Sequence, residues 1–281
     1  MLRKFAAGLA VVLAMAATPA AAQAVKPIKI LIVSGGGYHN YANQRVILET
    51  GLKARLNADI THTFYDMKPD EDQTKPKLPI FTNPNYADGY DVVIHNECGA
   101  GVDDQAIVQT VLAPHKKGVP GVNLHCAMHS YRAVNYRERV ADGAPTGKWF
   151  EYLGVQSTGH GPQFPIELKL VDPQNPVVKG LTEWATPREE LYNNVRVFEG
   201  ITPLISGQQP ANPDARAAAQ VLTVAWTHFY GPAKTRVFST TLAHNENTMS
   251  DGRYLDLVAR GVLWATGHLD ADGKPAAGYA K

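Results

Sequence analysis

Nearly continuous apolar segments alternate along the first half of the chain with segments whose apolar residues recur at helical spacing. The segments 28–33, 91–95 and 119–124 are short and rich in β-branched residues, which is typical of strands buried on both faces of a sheet. Between them, leucines at four-residue steps in 48–56 predict an amphipathic helix, and apolar residues in 107–112 predict another. This alternation predicts βαβ units and a parallel sheet.

The second half of the chain has a different pattern. Strict alternation of apolar and polar residues predicts half-exposed strands rather than fully buried ones. Further strands are predicted at 166–170, 221–226 and 236–242, and residues 254–266 predict a closing helix. From Asp270 the sequence is polar. We expect one α/β domain over residues 26–269, followed by a loose polar tail, 270–281.

The N-terminal residues have the composition of an export signal. Arg3 and Lys4 precede an apolar run over 5–17, and three small residues end at Ala22. This order is typical of a secretory signal peptide, 1–22, cleaved after Ala22. The apolar run is short for a membrane span. We therefore expect a periplasmic or secreted protein without a membrane anchor.

Charge and cysteine content narrow the range of partners. The chain has 27 Lys and Arg against 26 Asp and Glu, a formal net charge of +1, and no basic block of the kind nucleic-acid binders carry. Nucleic acid is therefore not expected as a partner. Cys98 and Cys126 each follow a predicted strand. Neighbouring strand ends could join them in a disulfide, but the spacing leaves the pairing open.

A run of glycines, Gly35 to Gly37, follows the first predicted strand. Such a run before a helix can cradle a phosphate. However, the spacing matches neither the dinucleotide fingerprint nor the P-loop. The competing interpretation is a tight turn where the backbone approaches a neighbour or a ligand closely.

His125 and His129 are the strongest candidates for metal ligands. If a helix begins at 125 or 126, a separation of four residues places both rings on one face, within reach of one ion. Neutral imidazole is a common zinc ligand. The pair lacks the glutamate of the zinc-protease pattern, so structural packing of both histidines remains an alternative.

Cys126 offers a different chemistry. A thiol at a strand-to-helix turn would lie at a helix N-terminus, which lowers its pKa and favours a thiolate nucleophile. His160, His228 or His244 could then act as its base. The flanking glycines of a nucleophile elbow are absent, which favours a small buried cysteine instead.

Two further clusters carry polar side chains. Thr186 and Glu189 have the spacing of a helix-capping box, which explains Glu189 but leaves Glu190 as a ligand or general base. His244 follows directly on a predicted strand.

Trp226, His228 and Tyr230 stand at alternate positions and would share one face of a strand. Such a face suits either a sugar-binding wall or core packing.

Taken together, these motifs resemble the ThuA-like (trehalose-utilisation) family. The features are a strand followed by G-G-G-x-H, a strand ending in L-H-x-x-x-H, then E-E-L-Y, R-V-F-S-T-T-L-A-H and G-V-L-W-A-T-G. The resemblance covers about 26–269. It implies a flavodoxin-like, class I glutamine amidotransferase-like fold: a three-layer sandwich with a mostly parallel central sheet. It also implies catabolism of disaccharides and other glycosides through 3-keto sugars.

Carried over by position, the resemblance places the family's functional residues on His39, His125, Glu190 and His244, with His129 matching less closely. We expect His39, His125, His129 and His244 to hold a divalent metal, zinc first. Glu190 and His244 would act on a carbohydrate substrate. Tyr38, Arg132, Trp226, His228 and Tyr230 are the candidate substrate-binding residues.

Two other function classes remain open. Cys126 aligns with the nucleophile of amidotransferases, so a cysteine-dependent hydrolase is one alternative. A sugar-binding protein without catalysis is the other. A keto-sugar route implies a sugar dehydrogenase in the same pathway, and the sequence leaves a homo-oligomer open.

Overall fold

The computed structural model describes residues 25–132, 136–209 and 220–281. The predicted signal peptide, 1–22, lies outside the described residues. The strands are β1 (Ile28–Gly36), β2 (Ala58–Tyr65), β3 (Val92–Cys98), β4 (Gly121–Leu124), β5 (Val155–Phe164), β6 (Glu167–Leu170), β7 (Trp184–Ala185), β8 (Glu189–Val197), β9 (Thr202–Gln208), β10 (Val221–Tyr230) and β11 (Thr235–Thr240). The α-helices are α1 (Tyr41–Lys53), α2 (Gln105–Lys116), α3 (Lys148–Leu153), α4 (Glu246–Met249) and α5 (Gly252–Ala265). Short 3₁₀ helices occupy Pro79–Thr82, His125–His129 and Pro145–Gly147.

Nine strands form one sheet in the order β2-β1-β3-β4-β11-β10-β9-β6-β7. The first five in this order pair in parallel, and the remaining four pair antiparallel. The predicted α/β fold with a large, mostly parallel central sheet is confirmed.

Helices cover both faces of the sheet, because successive residues of the buried strands point in opposite directions. Ile30 and Ile32 pack in one apolar cluster with α1 and α5, whereas Leu31 and Val33 pack in a second cluster with α2 and α3. Both clusters are shielded from water, which explains why the sequence of β1 is apolar throughout. The three layers predicted from the sequence are therefore present.

A separate two-stranded antiparallel ribbon is formed by β5 and β8. The Thr186–Tyr192 segment, expected to begin a helix or turn with a capping glutamate, instead leads into strand β8, so that prediction is wrong. The ribbon contacts the 3₁₀ helix His125–His129 and strand β10. It therefore places the side chains of β8 above the ends of the parallel strands.

The C-terminal tail is not loose, contrary to expectation. Leu56 forms a β-bridge with Ala280, and Lys281 donates its backbone N–H to the Arg55 carbonyl. The ring of Tyr279 stacks on His268 at 3.6 Å between centroids. These contacts tie the tail to the segment between α1 and β2. No helix within the described ranges is long and apolar enough to cross a membrane.

Candidate functional site

A cavity of about 600 Å³ opens where the parallel strands end. This position is the usual ligand site of an open parallel sheet, since the loops after the strands converge there. We call it the histidine cavity. It is lined by Tyr38, His39, Cys98, Ala100, Cys126, His129, Arg132, Tyr136, Thr158, Gly159, His160, Gln163, Glu190, Tyr192 and His244. Its volume lies within the range of small-molecule sites, about 300–1,000 Å³.

Three of the predicted ligands meet beside this cavity and form what we call the histidine triad; His39 and His244 line the cavity, whereas His125 is buried next to them. His39 follows β1, His125 follows β4 and His244 follows β11. One ring nitrogen from each lies within 4.8 Å of the other two. Three imidazoles at this separation can bind a single divalent ion.

Backbone carbonyls fix two of these rings. Nδ1 of His39 donates to the His244 carbonyl at 3.1 Å, and Nδ1 of His125 donates to the Thr241 carbonyl at 2.7 Å. Each of these two rings then carries its proton on Nδ1 and has its lone pair on Nε2, the tautomer that a metal ligand requires. Nε2 of His125 lies 3.3 Å from the Tyr192 hydroxyl, and Nε2 of His244 lies 2.8 Å from the side-chain amide nitrogen of Gln163. The triad therefore has the donor atoms of a metal site, and a bound ion would take the place of these two contacts.

Local backbone conformation contributes to this arrangement. Asn40 accepts from the Asn43 N–H and caps α1, which fixes the chain directly after His39. Tyr38 has a φ of 74°, His125 a φ of 39° and Ala243 a φ of 84°, all in the left-handed region that costs free energy for residues other than glycine. Backbone strain thus coincides with all three loops that carry the triad.

Glu190 lies against the triad and is only 5% exposed. Its Oε1 is 3.2 Å from Nδ1 of His244, and its Oε2 is 3.5 Å from Nε2 of His125 and 3.4 Å from Nε2 of His160. Gln163 donates its side-chain amide to Glu190 Oε1 at 3.2 Å. Glu190 is therefore surrounded by groups that favour its charged form.

The ionisation of these groups follows from their contacts. Burial alone would raise the pKa of Glu190, but the contacts with His125 and His244 outweigh it and hold this pKa well below its usual range. The carboxylate in turn raises the pKa of His244. Burial, together with the neighbouring His125 and His244, lowers the pKa of His39 to about 3. Glu190 is thus charged and His39 neutral at neutral pH.

Glu189 has a role that the sequence did not reveal. Its side chain is fully buried, and its carboxylate accepts hydrogen bonds from the backbone N–H groups of Glu190, Ala243 and His244 at 2.9–3.2 Å. It therefore holds the loop that carries His244 in place. The sequence signal for separate roles of these two residues was the pair Glu189-Glu190 at the start of a strand, because adjacent side chains point to opposite faces of a strand.

The structure does not bring His129 into the triad. Residues 125–129 form a 3₁₀ helix with three residues per turn, so positions four apart do not share a face. The His129 ring instead stacks on Tyr192 at 3.9 Å, and Nε2 lies 2.9 Å from the Ser157 hydroxyl. Burial and the nearby Arg132 keep its pKa well below the usual value. It lines the histidine cavity as a neutral packed side chain.

The predicted aromatic wall is wrong. Trp226, His228 and Tyr230 share one face of β10 as expected, but that face packs against α3 and its flanking residues rather than lining the histidine cavity. Trp226 is completely buried and donates its indole N–H to the Leu153 carbonyl at 2.7 Å. Core packing, the competing interpretation, accounts for Trp226 and Tyr230, whereas His228 borders a separate cavity.

Cys98 and Cys126 are joined in a disulfide, with their Cα atoms 5.0 Å apart. The predicted strand ends do bring them together, since β3 and β4 are neighbours. Cys126 consequently has no free thiol, and the alternative of a Cys126 nucleophile loses its reactive group. The disulfide forms part of the cavity wall.

The remaining predicted contact residues do line the histidine cavity. Tyr38 is 62% exposed at its mouth, and Arg132 is half-buried. The glycine run acts as a close-approach turn rather than a phosphate cradle, because a Cβ on Gly36 would lie 2.2 Å from the Cys98 carbonyl oxygen.

The model of a known protein family, ThuA, described as trehalose utilisation, matches residues 29–265. The chain belongs to the ThuA family. Membership supports a role related to trehalose utilisation, and the resemblance seen in the sequence is confirmed. A comparison with curated proteins finds no match.

Two solved structures with TM-scores above 0.5 share this fold. A protein from Parabacteroides merdae described as ThuA-like matches at 19% identity and a TM-score of 0.62, over 86% of this chain and 90% of that chain. A second, from Bacteroides uniformis, matches at 15% identity and a TM-score of 0.61, over 89% and 95%. A glutamine amidotransferase from Thermotoga maritima matches at 8% identity and a TM-score of 0.37, over 76% and 75%. At these identities the two ThuA-like structures show the fold alone.

Proposed function

We propose that this ThuA-family protein is an exported, metal-dependent enzyme that cleaves or isomerises a disaccharide or a 3-keto-glycoside. The observation that carries the proposal is the convergence of His39, His125 and His244 beside the cavity. One ring nitrogen of each lies within 4.8 Å of the other two, and the His39 and His125 rings are held with the lone pair on Nε2. Three imidazoles with one adjacent carboxylate are the donor set of catalytic zinc and related divalent ions. Zinc is our first candidate.

The bound ion would act as a Lewis acid that polarises a sugar carbonyl or hydroxyl. The chain's own residues would do the rest. The low pKa of Glu190 makes it a weak proton acceptor but a good anionic partner for cations. We therefore assign Glu190 to ligation and to orienting His160, whose Nε2 it contacts at 3.4 Å.

Proton transfer is assigned to His160, which Glu190 orients. The His160 side chain is 40% exposed and lines the cavity, and its Nδ1 donates to the Gly161 carbonyl at 2.8 Å, which leaves the lone pair on Nε2 to accept a proton. On a 3-keto-glycoside, His160 would accept the C2 proton beside the carbonyl while the C1–O glycosidic bond breaks, and it would return that proton to the departing oxygen, which leaves as an alcohol. Water would then add across the C1–C2 double bond, with its hydroxyl on C1 and its proton on C2, which completes hydrolysis.

The Cys98–Cys126 disulfide supports the proposed export, because disulfides persist mainly in oxidising compartments. A sugar dehydrogenase that forms the 3-keto group would be the expected pathway partner. Homo-oligomerisation is a further proposal that the site itself does not require.

Elemental analysis of untagged protein tests the metal centre first. Near-stoichiometric zinc, manganese or iron is expected in the wild type and should be lost in His125→Ala/His244→Ala. His228→Ala is the matched control, since His228 lies outside the histidine cavity, and it should keep its metal. Absence of metal from the wild type after incubation with divalent ions would overturn the proposal.

Turnover of trehalose and 3-keto-trehalose, followed by glucose release, tests the reaction. His160→Gln should lower the rate constant by about 10²-fold or more with metal content unchanged, because it removes an acid–base group. Saturable sugar binding without product, in protein loaded with metal, would instead favour a sugar-binding protein.

A further inference from the structure

The histidine cavity contains a guanidinium group, that of Arg132, without a carboxylate partner among the described residues. Among the described residues that line it, Arg132 is the single Lys or Arg and Glu190 the single carboxylate. Glu190 is already compensated by the imidazoles around it. Arg132 forms no ion pair in the ranges that the structure describes.

The surroundings of Arg132 are aromatic rather than acidic. Its guanidinium lies 4.0 Å from the centroid of the Tyr136 ring, and Nε is buried without a hydrogen-bond partner in the described residues. Burial lowers the pKa of Arg132, and the groups that oppose this are the hydroxyls of Tyr136, Tyr192 and Tyr38. A guanidinium partly removed from water without a carboxylate is costly, and a bound anion would remove that cost.

The Tyr136 ring keeps the guanidinium plane in place without using its N–H donors. Guanidinium groups bind planar anions through two parallel hydrogen bonds, so a ligand carboxylate is the natural complement. The contact with the Tyr136 ring, together with N–H donors that have no partner among the described residues, is typical of a preformed anion site.

We propose that the ligand of the histidine cavity is an acidic sugar whose carboxylate is bound by Arg132, as in a uronic acid or a glycoside that contains one. The proposal rests on the proposed carbohydrate function and names its substrate class. The sugar ring would lie between Arg132 and the histidine triad, so the anionic group orients the reacting carbons. A sugar phosphate shares the anionic chemistry and forms a separate arm of the test.

Calorimetric titration of metal-free protein with D-glucuronate, D-glucose and D-glucose 6-phosphate tests the assignment. Removing the metal prevents the carboxylate from binding an ion instead of Arg132. D-glucuronate should bind at least about tenfold more tightly than D-glucose, the difference expected for a charge-assisted hydrogen-bonded pair. A comparable gain for D-glucose 6-phosphate but not for D-glucuronate would overturn the carboxylate assignment.

Two variants show where the preference arises. Arg132→Gln should abolish the preference for D-glucuronate. Arg137→Gln is the matched control, because Arg137 also contacts the Tyr136 ring, at 5.7 Å, but is exposed and does not line the cavity. A preference that persists in Arg132→Gln, or no binding of D-glucuronate to the wild type, would overturn the proposal.

The preference for D-glucuronate is measured in metal-free protein, so it does not depend on whether the proposed metal centre is correct. Failure of the metal assignment would appear as missing metal in elemental analysis while the acid preference persists in metal-free protein. Failure of the Arg132 assignment would leave metal content unchanged.

Discussion

Replacing Glu189 by glutamine should destabilise the fold and release the His244 loop. The buried carboxylate accepts three backbone N–H groups, through Oε1 from Glu190 and His244 and through Oε2 from Ala243 and His244. The amide of glutamine offers one acceptor oxygen and places an NH₂ group where the second oxygen was. At least one buried N–H group then faces a donor.

The magnitude follows from these contacts. A hydrogen bond to a charged group contributes about 1.5–3 kcal/mol, and a buried donor left without an acceptor costs about 1–3 kcal/mol. The left-handed conformation of Ala243, with φ at 84°, also loses the bond that helps hold it. We expect Glu189→Gln to lower the free energy of unfolding by about 3–5 kcal/mol.

Urea denaturation followed by circular dichroism measures the loss, and elemental analysis of the same samples measures metal retained. Glu167→Gln is the control, because Glu167 is an exposed carboxylate on β6, and its effect should stay within about 0.5 kcal/mol. The reasoning would be refuted by a Glu189→Gln variant as stable as Glu167→Gln and with full metal content.

Three further predictions concern the scaffold. Cys98→Ser/Cys126→Ser should lower the free energy of unfolding by about 3–4 kcal/mol, because the bond closes a loop with a sequence separation of 28; equal urea midpoints would contradict this. Burial lowers the pKa of His115 from 6.5 to about 3, so the free energy of unfolding should fall as the pH drops below 6.5 and only the unfolded chain takes up the proton. Urea titrations at neutral and mildly acidic pH measure this fall, which should be smaller in His115→Gln. Gly36→Ala should destabilise far more than Gly89→Ala, since both have positive φ but a Cβ meets the Cys98 carbonyl only at Gly36; equal melting temperatures would refute the clash.

The sequence predicted the parallel half of the sheet because apolar strands buried on both faces leave a clear pattern. His39, His125 and His244 were also within reach, since each follows such a strand and the strand ends share one edge. The ribbon of β5 and β8 could not be predicted, because β5 carries five polar or glycine positions in succession after Gln156 and its pairing depends on distant residues.

Side-chain roles were harder to predict than strand positions. His129 was misplaced because the spacing of four carries meaning only on an α-helix, and the chain adopts a 3₁₀ helix there. Trp226 was misplaced because alternation shows that residues share a face but not what covers that face. The role of Glu189 could not be predicted, because the loop that it holds in place lies more than fifty residues away in sequence.

The disulfide also limits which metal ions would suit the proposed metal site. The Sγ atoms of Cys98 and Cys126 lie within 4.8 Å of a His39 ring nitrogen, close enough that free thiolates would compete for the same ion. Bonded to each other, they offer no soft donor. The remaining donors are imidazole nitrogens and a carboxylate oxygen, a borderline-to-hard set that suits zinc, iron or manganese and disfavours monovalent copper.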